Sequence, residues 1–132
     1  MGRTLTKRNG VRVAKSFAGR GLFATKDYWP KDHIVRYTGR IYANAECPHN
    51  RYLVGLTRNL SVDGSRKSNI ARWANHSCKS NARMVIYEDE VWLIAKKHIR
   101  PNDEITLNYG NSYRKTWMPE CLCPHCGGSR RK

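Results

Sequence analysis

A chain of 132 residues with 39% hydrophobic side chains, four Trp and seven Tyr has the apolar mass for one modest domain, which excludes wholesale disorder. No stretch approaches the length of a membrane span and no apolar leader opens the sequence, so a soluble protein outside the classical secretory route is expected. Charge is the strongest signal: 25 Lys and Arg against 10 Asp and Glu leave a formal net charge of +15. Self-repulsion of that size is best offset by a polyanionic partner, with DNA first and RNA or an acidic membrane surface as alternatives.

In chain order, MGRTLTKRNG (1–10) reads as a loose basic arm. VRVAKS alternates like a short strand, AGRG reads as a turn, and LFAT resumes extended chain. HIVRYTG predicts a strand that stops at Gly39, and RYLVGL and LSVDG are further extended runs bounded by turn residues. NIARWAN has weak helical character, one or two turns. ARMVIYEDEVWLIAKKHI predicts a hairpin joined across Glu88, Asp89 and Glu90. RPND is a turn leading into a strand at EITLNYG, and SYRKTWMP reads as a short helix before the cysteine cluster. The sum is one mostly-β domain with small helical pieces and no internal repeat.

Five cysteines make an odd set, which argues against a full disulfide framework. Cys121, Cys123 and Cys126 form a C-x-C-x-x-C run, whose crowding points to metal in a reducing compartment. Structural zinc takes four tetrahedral ligands, so one more is needed. His125 lies inside a loop too short to supply all four. Cys47 sits in AECPHN, a loop with no other signal. Cys78 would clip the C-terminal tail onto the Asn75–His76 segment and is the favoured fourth ligand. The plainer alternative is a set of reduced surface thiols, which are exposed to oxidation.

Four segments in this order carry a family resemblance: GRG at 19–21, NIARWANHSCKSN at 69–81, EITLNYG at 104–110, and the terminal CLCPHC. Together they resemble the SET-domain lysine methyltransferases that carry a cysteine-rich post-SET tail, over about residues 11 to 126. The resemblance implies a fold of several small curved β-sheets whose C-terminal segment threads under a preceding loop as a pseudoknot. It divides the chain into the basic arm 1–10, a SET domain over 11–113, and a zinc-binding post-SET tail with a basic end over 114–132. It implies S-adenosylmethionine as methyl donor, approached by the backbone of Gly19, Arg20 and Gly21 and contacted by Tyr52, Arg72, Asn75 and His76. Tyr109 matches the catalytic tyrosine, and Tyr37 a second tyrosine of the lysine channel. The implied ligands of one structural Zn2+ are Cys78, Cys121, Cys123 and Cys126. Each position also has a plainer reading: a hairpin turn for GRG, a packed core histidine for His76, a strand aromatic for Tyr52 or Tyr37, an ion pair for Arg72.

The residue two before the catalytic tyrosine tunes the number of methyl groups added in this family. Here it is Leu107, and Met84 stands where some members supply a compensating tyrosine. Neither carries a hydroxyl, so products beyond monomethyl-lysine are expected. The sequence departs from the family pattern at Trp73 (usually Phe), Ser80 (usually Pro) and Asn108 (usually Asp), and in a tail spacing two residues tighter.

The resemblance implies histone lysine in chromatin as substrate, hence the nucleus of its own or a host cell. A free histone tail is itself basic and would be repelled, whereas nucleosomal DNA reverses the sign and would engage KRNGVR, SRK (65–67) and SRRK through phosphates. Taken singly, each run also reads as a solvated charged face. Two other functions fit part of the sequence: a non-catalytic, zinc-stabilised basic module binding nucleic acid or chromatin, and a methyltransferase for a non-histone lysine such as one in a ribosomal protein. Oligomeric state is left open.

Overall fold

The computed structural model describes residues 7–8, 10–17, 19–43, 50–57, 59–87 and 90–109. Within them the chain is mostly β, as expected: short strands form three small sheets around a shared core. In the first sheet, β1 (Lys7–Arg8), β2 (Val11–Ser16) and β3 (Gly19–Ala24) form a meander. The second contains β4 (His33–Tyr37), and the third contains β5 (Arg40–Ala43), β6 (Leu53–Gly55) and β7 (Leu60–Asp63) in the order β5-β7-β6. A 3-10 turn, Ile70–Trp73, precedes β8 (Asn75–His76). β9 (Ala82–Tyr87) and β10 (Glu90–Ala95) complete the second sheet in the order β4-β10-β9. β11 (Glu104–Leu107) returns to the first sheet, between β3 and β8.

The local chemistry explains most of these boundaries. β2 and β3 pair from Val11↔Ala24 to Ser16↔Gly19, a tight hairpin. Gly19 closes it with φ 92, a conformation that glycine reaches without a Cβ penalty. Gly19, Arg20 and Gly21 therefore open a strand, and the turn falls just before them rather than on AGRG. In RPND, Asn102 takes φ 75, where an Asn side chain is tolerated. Asp103 Oδ2 accepts the Arg100 N–H at 2.9 Å and closes that turn. In the β9–β10 hairpin Glu90 already pairs with Tyr87, so it belongs to the strand rather than to the connection. Part of the expected loose arm is also ordered: Lys7 and Arg8 pair antiparallel with Arg12 and Val11. The chain continues past Gly39 into β5, a strand the turn signal had hidden. The expected helix SYRKTWMP and the residues Cys47, Cys121, Cys123, His125 and Cys126 lie outside the described residues.

The core is shared by all three sheets and the 3-10 turn. Leu22, Ile70, Leu93, Ile99 and Ile105 are its largest fully enclosed apolar side chains, each worth about 1.5–3 kcal/mol of burial. Ile34 and Val35 are both buried although adjacent, because the β4–β10 register shifts between Leu93 and Ile94. In β11, Ile105, Thr106 and Leu107 are buried in succession, the pattern of a strand covered on both faces. That central place follows from its pairing: antiparallel to β3 through Glu104↔Phe23 and Ile105↔Leu22, parallel to β8 through Thr106↔Asn75 and Leu107↔His76. The chain after Tyr109, on which the expected threading depends, lies outside the described residues.

One buried polar side chain ties the second and third sheets to the 3-10 turn. Asn69, 1% exposed, accepts the Thr38 N–H at Oδ1 (3.0 Å) and donates from Nδ2 to the Gly64 carbonyl (2.9 Å). Asn69→Ala leaves both backbone groups without that partner. Urea unfolding is expected to show a loss of about 1–3 kcal/mol for each group left unpaired; a loss within experimental error would show that the tie carries no load.

Candidate active site

The two-residue parallel ladder between β8 and β11 assembles the site. It sets the Asn75–His76–Ser77 segment beside Thr106 and Leu107, and Ser77 N–H donates to the Leu107 carbonyl at 2.9 Å. Tyr109 lies two residues beyond the ladder. Its backbone N–H donates to His76 Nδ1 at 3.0 Å, and the two rings lie 5.3 Å apart. Its phenol donates a close hydrogen bond to the Ala74 carbonyl, at the end of the 3-10 turn. Since Nδ1 accepts, a neutral His76 ring carries its own proton on Nε2, which faces Cys78 Sγ at 3.4 Å.

These contacts border a cavity of about 670 Å3. Of the residues singled out in the sequence, Arg20, Tyr37, Tyr52, Arg72, Asn75, Met84, Leu107 and Tyr109 all line it. His76 does not: it is 1% exposed and its ring is directed to Tyr109 and Cys78. Gly19 and Gly21 also stand off the wall. Cys78 is half-buried next to His76, while Cys121, Cys123 and Cys126 lie outside the described residues. No group of three potential metal ligands occurs among the described residues.

The wall is aromatic and cationic. The Arg72 guanidinium lies 4.5 Å over the Tyr52 ring and 4.8 Å over the Trp73 ring, and that of Arg20 lies 5.7 Å over Trp73. Tyr37, buried, donates from its hydroxyl to the Tyr52 carbonyl at 2.6 Å, so the two tyrosines hold one another. Asp63 braces the same corner: it accepts from Asn50 Nδ2 (3.1 Å) and the Ser65 N–H (3.0 Å). Partial burial would raise its carboxyl pKa, but those hydrogen bonds and the Arg66 charge outweigh it and hold the group below its ordinary range. Arg20, Arg51, Arg72, Arg83 and Lys96 line the cavity, and no Asp, Glu or His does among the described residues. Ser80, in place of the family's proline, accepts from Lys96 Nζ at 2.7 Å.

Two functional positions were missed in the sequence. Glu104 accepts from Ser16 Oγ at 2.8 and 2.7 Å and from Asn75 Nδ2 at 2.9 Å. The same Asn75 amide donates to the Arg20 carbonyl at 2.9 Å. The amide of Asn75 is thus engaged in joining β3, β8 and β11, and Glu104 is the hub. A Cβ added at Gly21 would sit 2.3 Å from Glu104 Oε2, so the second glycine of GRG is a packing requirement of that hub. The signal was available: a carboxylate opening an otherwise apolar strand in a chain with only ten acids. Asn81, the last residue of NHSCKSN, bonds the Thr106 N–H (2.9 Å) and the Glu104 carbonyl (2.8 Å), which fixes β11 from its other side.

Gly21→Ala is expected to cost about 1–3 kcal/mol, the usual range for overpacking. Part of that cost should disappear when it is combined with Glu104→Ala, which removes the closest clash and leaves Ser16 Cβ at 2.9 Å. Denaturant melts of both single variants and the double variant test this: losses that add within about 0.5 kcal/mol would rule the coupling out.

Residues 19–110 match the SET domain family. The chain is 29% identical over 142 aligned residues to histone-lysine N-methyltransferase mes-4 of Caenorhabditis elegans, covering 86% of this chain and 16% of that protein. It is 32% identical to an H3 lysine-4 specific histone-lysine N-methyltransferase of Schizosaccharomyces pombe (82% and 14% covered). It is 28% identical to an H3 lysine-36 specific one of Emericella nidulans (83% and 13% covered). The chain thus spans 13–16% of the length of these curated relatives. With 19–110 matched, well over half its length, the chain belongs to the SET-domain family.

Proposed function

We propose that this chain is an S-adenosylmethionine-dependent protein lysine N-methyltransferase. The observation that carries the reading is Tyr109 on the wall of the 670 Å3 cavity, just beyond the β8–β11 ladder, with its backbone N–H bonded to His76 and its phenol to the Ala74 carbonyl. A cavity of this volume is of the size that takes one small-molecule ligand together with part of a second. Arg72 and Trp73 line it as well, and their buried Nε and Nε1 have no partner among the described residues.

S-adenosylmethionine, when bound, supplies a methyl group on a positively charged sulfur. The acceptor amine has an ordinary pKa near 10.4, so reaching its neutral form at pH 7 costs about 4–5 kcal/mol. This chain offers two means of lowering that cost. Tyr37, Tyr52, Trp73 and Leu107 wall the cavity with rings and apolar surface, which disfavours an ammonium. Five cationic side chains on the same wall disfavour it further. With no carboxylate or imidazole lining the cavity among the described residues, the departing proton passes to water. What remains is alignment of amine, methyl and sulfur. The Tyr109 hydroxyl spends its proton on the Ala74 carbonyl, which turns its oxygen lone pairs outward as a fixed polar contact.

Leu107 and Met84 shape the amine end of the cavity without a hydroxyl. Neither of these two side chains can hydrogen-bond a monomethylated amine into an unreactive pose, so transfer continues beyond the first methyl. Cys78 supplies the first thiolate of a structural zinc site completed by Cys121, Cys123 and Cys126, with 114–132 as the post-SET tail. The substrate class is histone lysine within the nucleosome, in the nucleus. Exposed Arg8, Arg66 and Lys67 contribute phosphate contacts that offset the repulsion between two basic proteins.

Incubation of the purified chain with methyl-labelled donor should label nucleosomes more strongly than free histones, with a steep fall as salt rises. Tyr109→Phe should retain the circular dichroism and donor affinity of the wild type and lose turnover about a hundredfold. Full turnover in a folded Tyr109→Phe protein would refute the assignment.

Mass spectrometry on a saturated substrate should find di- or trimethyl-lysine with the wild type and a shift toward monomethyl-lysine with Leu107→Tyr. Monomethyl product alone from the wild type would overturn the reading of Leu107.

A further inference from the structure

Trp29 takes no part in the cavity wall and is 55% exposed, yet its ring is held in place. The His98 imidazole stacks on it, with centroids 3.8 Å apart and planes 8° from parallel. His98 Nε2 in turn donates to Asp27 Oδ1 at 2.8 Å, which fixes the imidazole. The backbone beneath is fixed as well. Tyr28 and Ile99 exchange two hydrogen bonds of 2.8 Å, an antiparallel bridge that sets Trp29 opposite His98. The turn from Trp29 to Asp32 closes twice: the Asp32 N–H donates to the Trp29 carbonyl (2.9 Å), and the Trp29 N–H donates to Asp32 Oδ2 (2.8 Å). Its third position holds Lys31 at φ 77, a conformation that favours glycine and costs a lysine. With one face of the indole on His98, the part left exposed is the opposite face and the edge.

The charge around this ring is positive. Lys26, Lys31, Lys97 and Arg100 belong to the same two segments and are all exposed. The acids of these segments and of the adjoining turn are spent within the protein: Asp27 on His98, Asp32 on the Trp29 N–H, Asp103 on the Arg100 N–H. A fixed aromatic face bordered by cations suits flat rings joined by anionic linkers. An acidic peptide would use the cations and leave the indole face idle. Duplex DNA would also use the cations, but its base faces are stacked on one another inside the helix. A single strand uses both, with a base on the ring and phosphates on the lysines and arginine.

We propose that Trp29, backed by His98, is a stacking platform for one base of a single-stranded polynucleotide, RNA or DNA, whose flanking phosphates meet Lys31, Lys97 and Arg100. This site is separate from the cavity and does not depend on the methyltransferase reading. It is near the cavity all the same: Lys96, on the cavity wall, precedes His98 by two residues, about 7 Å of extended chain. A strand held on the ring therefore keeps any protein bound to it close to the cavity mouth.

Fluorescence anisotropy with short labelled oligouridylate, oligothymidylate and a duplex of equal length, all at one salt concentration, tests the platform in the full chain. Trp29→Ala should weaken single-strand binding about fivefold to a hundredfold, the range for loss of one base stack. Trp29→Phe keeps an aromatic face and should retain most of the affinity. Duplex affinity should stay within about twofold in both variants. Lys31→Gly relieves the turn, so it should melt no lower than the wild type and still bind the single strands more weakly. Tight binding of either single strand supports the site, and the tighter of the two names the ligand as RNA or DNA. An equal loss on the duplex in Trp29→Ala would show a general effect on fold or charge and overturn the platform. Unchanged single-strand affinity in that variant would overturn it as well. No methyl transfer is read, so failure here and failure of the methyltransferase reading remain distinct.

Discussion

Two residue pairs hold the functional architecture together: Thr106 with Asn75 and Leu107 with His76, the parallel ladder between β11 and β8. Parallel strands cannot be joined by a tight turn, so the chain must travel from His76 through the β9–β10 hairpin and the RPND turn before it returns. That detour is what brings residues about thirty positions apart into register. The ladder is too short to be stable alone. It is locked by groups flanking it: Asn81 bonds β11 on one side, and Glu104 gathers Ser16 and Asn75 on the other. Tyr109, just beyond the ladder, inherits its position from this clamp, and His76 transmits it through one nitrogen.

The polar residues of the site divide into two groups. Asn75 spends its amide on Arg20, Ser16 and Glu104, and His76 spends its ring on Tyr109 and Cys78. Both therefore place neighbouring backbone, and Asn75 also lines the cavity. By contrast, Arg72 Nε and Trp73 Nε1, in the 3-10 turn, are buried with no partner among the described residues. The tight pitch of this four-residue turn directs Ile70 and Ala71 into the core, while Arg72 and Trp73 line the cavity.

How much of this could be read in the sequence depends on the range of the interaction. Strands with a local signal, VRVAKS, HIVRY, LSVD and the β9–β10 hairpin, are visible because alternation and turn residues lie within the segment itself. β8 is not, since two residues have no period and its partner is β11. β5 was hidden because Gly39 looks like a stop. In the structure, a Cβ there would sit 1.9 Å from the Asp63 carbonyl oxygen, so the glycine permits a close backbone approach and the chain runs on. The motif residues named Asn75 and Tyr109 correctly as members of one neighbourhood. They could not tell which way the His76 ring faces, nor that Glu104 is the hub, because both depend on contacts between segments far apart in the chain.

The cationic wall links the chemistry to the choice of substrate. On the proposed reading, a site that neutralises a lysine by surrounding it with positive charge would also repel the basic sequences in which such lysines occur. The two demands are compatible only if the substrate brings its own anion. One source is DNA, which can screen the approach over about a Debye length of the exposed Arg8, Arg66 and Lys67. The other is the carboxylate of the proposed methyl donor, whose entry into a cavity walled by five positive side chains, and by no negative one among the described residues, would offset part of that repulsion.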